Sequence, residues 1–122
     1  VVAVASTVAG GASTVAAVEI GPVEGQALMA SMGADLTVID VRTPEEFAAG
    51  HIQGATNIDV EGGGFSAAIE AMDPSKAYLV YCHSGRRAAI AAETMTAAGF
   101  TDVRNMGGIQ AWIDAGLPVV AG

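Results

Sequence analysis

The stretch "AYLVYCHSGRRAAIAAETMTAAGF", residues 77–100, decides the fold class of this chain. Residues 77–82 form an apolar run of strand length, and the alanine-rich run that begins at residue 86 has the length of a helix. Gly99 predicts a left-handed cap at the end of that helix, with Phe100 folding back onto it. The stretch therefore predicts a strand, a tight loop and a long helix in direct succession.

A second strand–helix unit lies earlier in the chain, in "LTVIDVRTPEEFAAG", residues 36–50. Its first five residues are mostly β-branched or apolar and predict a strand. Thr43 has the position of a helix N-cap, Pro44 follows at the first helical position, and Glu46 completes a capping box. Gly50 marks the end of this helix, so both of its boundaries are predicted from local chemistry.

Shorter patterns fill the rest of the chain, and strands alternate with helices throughout. Such alternation predicts a single α/β domain with a mainly parallel sheet. The further predicted elements are a helix at 24–32, a short strand within 51–58, a flexible break at 62–64, a helix at 66–72, a strand at 102–106 and a helix at 109–116.

Composition and charge exclude several classes of function. The chain has 122 residues, with 13 Asp and Glu against 5 Lys and Arg, for a net charge of −8. An acidic protein lacks the clustered cations that neutralise nucleic-acid phosphates, so we predict no nucleic-acid partner. A single cysteine cannot form an internal disulfide, and with two separated histidines it makes a poor metal site. We predict neither a metal nor another cofactor.

The N-terminal segment, residues 1–18, carries no charged side chain. Its length approaches the roughly 20 residues of a membrane span, but glycines and repeated Ser and Thr lower its apolarity, so we predict no span. We expect a weakly ordered extension at 1–18 ahead of a single domain at 19–122. The uncharged segment leaves both a cytoplasmic and an exported location open.

Polar side chains follow two of the predicted strands at the point where each strand ends. Asp40 and Arg42 close the strand of the second unit, and Cys82 closes the strand of the first. In parallel α/β sheets the binding crevice lies at the carboxyl ends of the strands. We therefore expect these residues to meet at the working edge of the sheet.

The loop "CHSGRR", residues 82–87, gathers scarce positive charge around the only thiol of an acidic chain. Gly85 supplies backbone freedom, and the N–H groups of a tight turn before a helix can converge on an anion. Backbone donors and the nearby Arg86 and Arg87 would favour the thiolate of Cys82, which is the reactive form. The loop therefore predicts a nucleophilic cysteine.

Three motifs, in this order and spacing, resemble the rhodanese family of sulfurtransferases over about residues 18–119. They are "DVRTPEEFAAGHIQGATNI", "CHSGRR" and "NMGGIQAWIDAGLPV". The resemblance implies a rhodanese-like open sheet of about five mainly parallel strands, flanked by helices on both faces. It also implies an enzyme of thiosulfate sulfurtransferase type, which takes a sulfane sulfur onto its cysteine as a persulfide.

The resemblance carries over to the loop residue by residue. Cys82 is the expected catalytic nucleophile, and Gly85 and Arg87 match the family's CxxGxR pattern. His83 departs from the basic residue often found after the cysteine, which leaves the choice of donor open. The substrate-binding residues would be His83, Ser84, Gly85, Arg86 and Arg87. The implied partners are a small anionic sulfur donor and a thiol, cyanide or protein acceptor.

The composition of the same loop bears on three other possible functions. Phosphatases of this fold place five residues between cysteine and arginine, whereas four lie between Cys82 and Arg87, which favours a smaller ligand such as a terminal sulfur. A persulfide carrier or sulfur-sensing module that acts through a protein partner, with little turnover of its own, needs the same residues and stays open. A structural domain with an idle thiol is disfavoured by the intact loop.

Supporting roles are predicted for the charged residues around the loop. Asp40 and Arg42 are expected to support the site by pinning neighbouring loops rather than by reacting. Successive residues on a helix point about 100° apart, so Arg86 and Arg87 cannot both face the thiol. We expect Arg87 to brace the loop through a carboxylate such as Asp40, and Arg86 to stay mobile at the cleft mouth.

Overall fold

A five-stranded parallel sheet forms the centre of the protein, of which the computed structural model describes residues 17–121. The strands are β1 (Val18–Glu19), β2 (Leu36–Asp40), β3 (Thr56–Asn57), β4 (Ala77–Cys82) and β5 (Asp102–Gly108). Their spatial order is β1-β5-β4-β2-β3, and each neighbouring pair is parallel.

Helices cover both faces of this sheet. The helices are α1 (Pro22–Met32), α2 (Pro44–Ala49), α3 (Phe65–Glu70), α4 (Arg86–Ala97) and α5 (Ile109–Asp114), with a 3₁₀ turn at Gly33–Asp35. Side chains of α3 and α4 pack on one face, and those of α1 and α5 pack on the other. The predicted α/β architecture is confirmed. Within residues 17–121, no helix is both long enough and apolar enough to span a bilayer.

Local sequence signals set several boundaries of these elements. Strands β2 and β4 have the predicted bounds, because continuous apolar runs suit strands that are buried on both faces. At the start of α2, Thr43 Oγ1 accepts a hydrogen bond from Glu46 N at 3.2 Å, and Thr43 N donates to Glu46 Oε1 at 3.1 Å. Gly99 adopts a φ of 101°, and Phe100 N donates back to Met95 O at 3.0 Å. Both predicted caps are therefore present.

Two elements extend two residues beyond their predicted bounds, and α3 begins one residue earlier than predicted, at Phe65. Helix α1 begins at Pro22 rather than Glu24, because Gly21 N donates to Glu24 Oε1 at 3.3 Å and closes an earlier first turn. Strand β5 continues to Gly108 rather than ending at Met106. Met106 has no partner in β4, because Val80 pairs with Asn105 and Tyr81 pairs with Gly107. This bulge allows the pairing of β5 with β4 to continue through Gly108.

The N-terminal edge of the sheet was not anticipated from the sequence. Val18 and Glu19 pair with Arg104 and Asn105 of β5. The predicted boundary between residues 18 and 19 therefore falls inside a strand, and the sheet already includes Val18. The remainder of the predicted extension, residues 1–16, lies outside the described residues.

The two faces of the sheet separate the side chains of the predicted site. Ile39, Val41 and Cys82 belong to the apolar cluster that contains the α4 side chains, which we call the α4 face. Val38 and Tyr81 belong to the cluster on the opposite side, which we call the α1 face. Because successive side chains of a strand point to opposite faces, Asp40 points away from α4, whereas Cys82 points toward it.

Candidate active site

Cys82 is the last residue of β4, and its side chain is buried beneath the loop that leads into α4. In the described part of the chain one backbone donor reaches its sulfur, since Gly85 N lies 2.9 Å from Cys82 Sγ. This contact closes the loop over the thiol. It also brings the sulfur to the N-terminus of a 12-residue helix, where the positive end of the helix dipole favours an anion.

Gly85 owes its place in the loop to its backbone conformation. It is the N-cap of α4 and has a φ of 111°, in the left-handed region that side-chain-bearing residues rarely adopt. A Cβ at this position would lie 3.6 Å from the Cα of Gly107, an ordinary van der Waals contact, so the positive φ rather than crowding disfavours a side chain. The turn that carries the N–H of Gly85 to the sulfur therefore favours glycine.

The end of β5 supports the loop from behind. A side chain at Gly108 would collide with the carbonyl oxygen of His83, so glycine permits the close approach. Gln110 N donates to the same carbonyl oxygen at 3.4 Å, and Asn105 Oδ1 accepts from Gly107 N at 2.8 Å. Through these contacts the segment "NMGGIQ", residues 105–110, supports the loop "CHSGRR", residues 82–87.

The other predicted substrate-binding residues line the outer surface of the loop. His83, Ser84 and Arg86 are exposed, and Arg87 is half-buried. The structure thus brings Cys82 and Gly85 into direct contact and leaves three loop side chains open to solvent.

Arg87 forms an ion pair that joins the loop to α2. Its Nη1 lies 2.7 Å from Glu46 Oε1 and its Nη2 lies 3.0 Å from Glu46 Oε2, a bidentate arrangement. These hydrogen bonds are the largest cause that lowers the pKa of Glu46 to about 2, and hydrogen bonds from Thr43 add to the effect. The hydrogen bonds between Glu46 and Arg87 also raise the pKa of Arg87, with smaller contributions from the charges of Cys82 and Glu61. Glu61 Oε1 lies farther away, at 3.8 Å from Arg87 Nη1.

Arg87 braces the loop through a carboxylate as predicted, but the predicted partner, Asp40, is wrong. Asp40 points to the α1 face, where Arg42 occupies its carboxylate, with Arg42 Nη2 2.6 Å from Asp40 Oδ2. Arg87 is on α4, on the other side of the sheet. The carboxylate that reaches Arg87 instead comes from α2, at the same edge as the thiol loop.

The Asp40–Arg42 pair fixes the turn that follows β2. Asp40 Oδ1 also accepts from the backbone N of Arg42 at 2.9 Å, and Arg42 Nη2 donates to Gly50 O at 2.6 Å. Asn57 Nδ2 donates to the carbonyl oxygens of both Asp40 and Arg42, at 3.0 and 2.9 Å. Burial lowers the pKa of Arg42, but the hydrogen bonds and charge of Asp40 outweigh it and raise the pKa overall.

From the sequence, Glu46 is predicted only as the third helical residue of a capping box, and neither Glu46 nor Glu61 is predicted to contact the thiol loop. The available signal was the adjacency of Arg86 and Arg87, since one helical turn directs one of them toward the body of the protein, where a carboxylate can pair with it. Nothing in the local pattern shows which carboxylate does so. In the described part of the chain, no group of three or more His, Cys, Asp or Glu side chains is arranged to hold a metal ion.

Comparisons with known proteins place this chain among rhodanese-like proteins. Thiosulfate sulfurtransferase PspE of Escherichia coli (strain K12) is 37% identical over 84 residues, which cover 69% of this chain and 78% of that protein. The chloroplastic thiosulfate sulfurtransferase 16 of Arabidopsis thaliana is 38% identical over 94 residues, covering 68% and 78%. The crystal structure of a rhodanese-related protein from Thermoplasma volcanium superposes with a TM-score of 0.72 at 31% identity, covering 86% of this chain and 99% of that one.

The matched region includes the whole candidate site. The family model described as "Rhodanese-like domain" matches residues 24–115, which take in β2, the thiol loop and the glycines that support it. Because that match spans well over half of the 122 residues, the chain belongs to the rhodanese-like domain family.

Proposed function

We propose that this protein is a sulfurtransferase that moves a sulfane sulfur from a thiosulfate-like donor to a thiol or cyanide acceptor through a persulfide on Cys82. The observation that carries the proposal is the position of Cys82 Sγ, 2.9 Å from Gly85 N at the start of α4. Membership of the rhodanese-like domain family and the names of the thiosulfate sulfurtransferase relatives support the same chemistry.

In the first step the Cys82 thiolate attacks the outer sulfur of the donor. A bond forms between Sγ and that sulfur, the sulfur–sulfur bond of thiosulfate breaks, and its electron pair leaves with sulfite. The N–H of Gly85 and the helix dipole of α4 stabilise negative charge on the sulfur before and after this step. Because Cys82 is buried, we expect the exposed residues His83 and Ser84 to move aside as the donor enters.

In the second step the acceptor attacks the outer sulfur of the persulfide. With cyanide, a carbon–sulfur bond forms, the sulfur–sulfur bond of the persulfide breaks, and the Cys82 thiolate is regenerated as thiocyanate leaves. Atoms and charge balance in both steps, so the cycle needs no metal or redox cofactor. Arg86 is exposed beside the loop, and we expect it to attract the anionic donor and departing sulfite.

The buried charge pair would act as a support for this chemistry. Asp40 and Arg42 hold the turn before α2, and α2 carries Glu46 to Arg87 at the start of α4. We infer that these residues keep the N–H of Gly85 within hydrogen-bond distance of Cys82 Sγ and do not themselves touch the donor. The four residues between Cys82 and Arg87 make a small ring, which favours a terminal sulfur over a phosphate group.

A comparison of the wild type with Cys82→Ala and Cys82→Ser tests the proposal. We expect the wild type to form thiocyanate from thiosulfate and cyanide, and both variants to lose this activity to the background level. Intact mass spectrometry after thiosulfate alone should show a gain of one sulfur atom in the wild type and none in the variants. Turnover by either variant at the wild-type rate would refute the role of Cys82.

The same measurements separate the enzyme from a persulfide carrier. A stable gain of one sulfur with negligible formation of thiocyanate would favour the carrier, whereas rapid turnover would favour the enzyme.

A further inference from the structure

The positive charge that the sequence gathers around Cys82 is largely balanced in the folded protein. The chain has five Lys and Arg side chains, two of them on the first turn of α4. Arg87 is paired with Glu46 and lies within 4 Å of Glu61. Among the described residues no carboxylate lies that close to Arg86, so Arg86 is the unpaired cation beside the loop.

The two carboxylates beside Arg87 differ in what they do. Glu46 makes two hydrogen bonds to the guanidinium, at 2.7 and 3.0 Å, and its side chain is 33% exposed. Glu61 lies 3.8 Å from Nη1, beyond hydrogen-bond distance, and is 65% exposed. Glu46 is therefore sufficient to brace Arg87, whereas Glu61 adds negative charge near Arg87 without forming a hydrogen bond to it.

A turn closed by a side-chain hydrogen bond positions the backbone of Glu61. Its backbone N donates to Asp59 Oδ1 at 2.9 Å, and three glycines follow it at residues 62–64. Gly63 has a φ of 83°, which a residue with a side chain would adopt only with strain. This turn lies between β3 and α3, so it brings an exposed carboxylate from a separate part of the chain to the thiol loop.

An exposed ion pair contributes little to stability, but its charge acts on every charged molecule that approaches. The interaction energy of a donor with Glu61 grows in proportion to the donor's own charge. A doubly charged donor therefore meets twice the repulsion that a singly charged donor meets at the same place.

We propose that Glu61 is a specificity-determining residue that disfavours doubly charged sulfur donors relative to singly charged or neutral ones. This inference rests on the sulfurtransferase function proposed above and names the charge class of the preferred donor. Such donors are organic thiosulfonates and persulfides, whose terminal sulfur is sulfane but whose charge is one or zero. Thiosulfate, with two charges, is the donor whose efficiency Glu61 lowers most.

The donor step with an arylthiosulfonate has the same balance as the step with thiosulfate. The Cys82 thiolate bonds to the terminal sulfur, the bond between that sulfur and the sulfonyl sulfur breaks, and the electron pair leaves with the arylsulfinate. One negative charge enters on the donor and one leaves on the sulfinate. The two donors therefore share the reaction and differ in charge.

The test compares Glu61→Gln with Glu70→Gln, using thiosulfate and benzenethiosulfonate as donors and cyanide as acceptor. Both variants remove one negative charge from an exposed side chain. Glu70 shares a surface cavity with Thr94 and Ala98. Since Thr94 is seven residues from Arg87, this site lies about 10 Å along the helix from the loop. Most of its effect at the loop is screened in about 0.1 M salt, where the Debye length is about 10 Å.

We expect Glu61→Gln to raise kcat/KM about twofold for benzenethiosulfonate and about fourfold for thiosulfate, because doubling the charge squares the factor. Glu70→Gln should leave both values within about 1.5-fold of the wild type in about 0.1 M salt. The gain from Glu61→Gln should decline as salt is raised toward about 1 M, where the Debye length is about 3 Å. Its melting temperature should match that of the wild type.

Two kinds of failure are distinguishable. Equal factors for the two donors, or equal effects of Glu61→Gln and Glu70→Gln, would overturn the role of Glu61 while leaving the sulfurtransferase in place. If mass spectrometry detects no added sulfur on Cys82 with either donor, in the wild type and in Glu61→Gln, the proposed function fails and this inference fails with it.

Discussion

Two arginine–carboxylate pairs lie near the thiol loop, and they differ in burial, in reach along the chain and in the face of the sheet that they occupy. Asp40 and Arg42 are two residues apart, and their side chains are 0% and 6% exposed. Glu46 and Arg87 are 41 residues apart and are 33% and 19% exposed. The first pair organises its own turn, whereas the second joins two strand–helix units.

Both pairs join a guanidinium to a carboxylate, but they have different structural roles. A buried pair loses the solvation of both charges, so removing one partner leaves the other without water or counter-charge. A partly exposed pair retains some solvent, and its main effect is to restrain the elements that carry it. In this protein the partly exposed pair is the one that holds the first turn of α4, directly after the thiol of Cys82.

The largest expected difference comes from neutralising one carboxylate in each pair. Asp40→Asn should lower the free energy of unfolding by about 3–5 kcal/mol, because Arg42 would keep its charge in a buried site. Glu46→Gln makes the same chemical change at the rim and should cost about 1 kcal/mol. Urea denaturation of the two variants measures both values. Similar losses would contradict the assigned difference between a buried and a rim pair.

A smaller effect is expected from the two neighbouring arginines of α4. Arg87→Ala should lower the free energy of unfolding by about 1–2 kcal/mol and reduce turnover together, because it leaves Glu46 unpaired and frees the loop. Arg86→Ala should change stability by less than about 0.5 kcal/mol and raise KM for an anionic donor. Thermal denaturation and donor kinetics test both. A stable Arg87→Ala together with an early-unfolding Arg86→Ala would reverse the assignment.

The smallest effect is the pH dependence of the rim pair. Because the pKa of Glu46 falls from 4.5 to about 2 on folding, its pair with Arg87 stabilises the protein above pH 4.5, and this contribution is lost as pH falls toward 2. The stability difference between the wild type and Glu46→Gln should be about 1 kcal/mol and constant above about pH 5, after allowing for solvent screening. It should approach zero near pH 2.

Denaturation at several pH values would check this dependence. A difference between the two proteins that stays constant from neutral pH down to the folded pKa would show that Glu46 acts through packing alone. Because Arg87 has a raised pKa, its own charge does not change in this range.

Local chemistry was enough to predict much of the fold and the centre of the site. The apolar runs of β2 and β4, the capping box of α2 and the glycine that ends α4 depend on residues within a few positions of one another. Cys82, at the junction of strand and helix, was predicted for the same reason. Strand β1 was not, because two residues carry no periodic signal and their pairing depends on β5.

The sequence by itself determined the strand–loop–helix unit, the thiol at its junction and the need of Arg87 for a carboxylate. Only the tertiary structure decided that this carboxylate is Glu46 and that Glu61 lies beside it. The physical reason is the alternation of side chains across the sheet, which turns Asp40 away from α4. Parallel pairing of distant strands then brings α2 and the turn before α3 to the edge where Cys82 lies, so the charges around the thiol depend on contacts that no local pattern specifies.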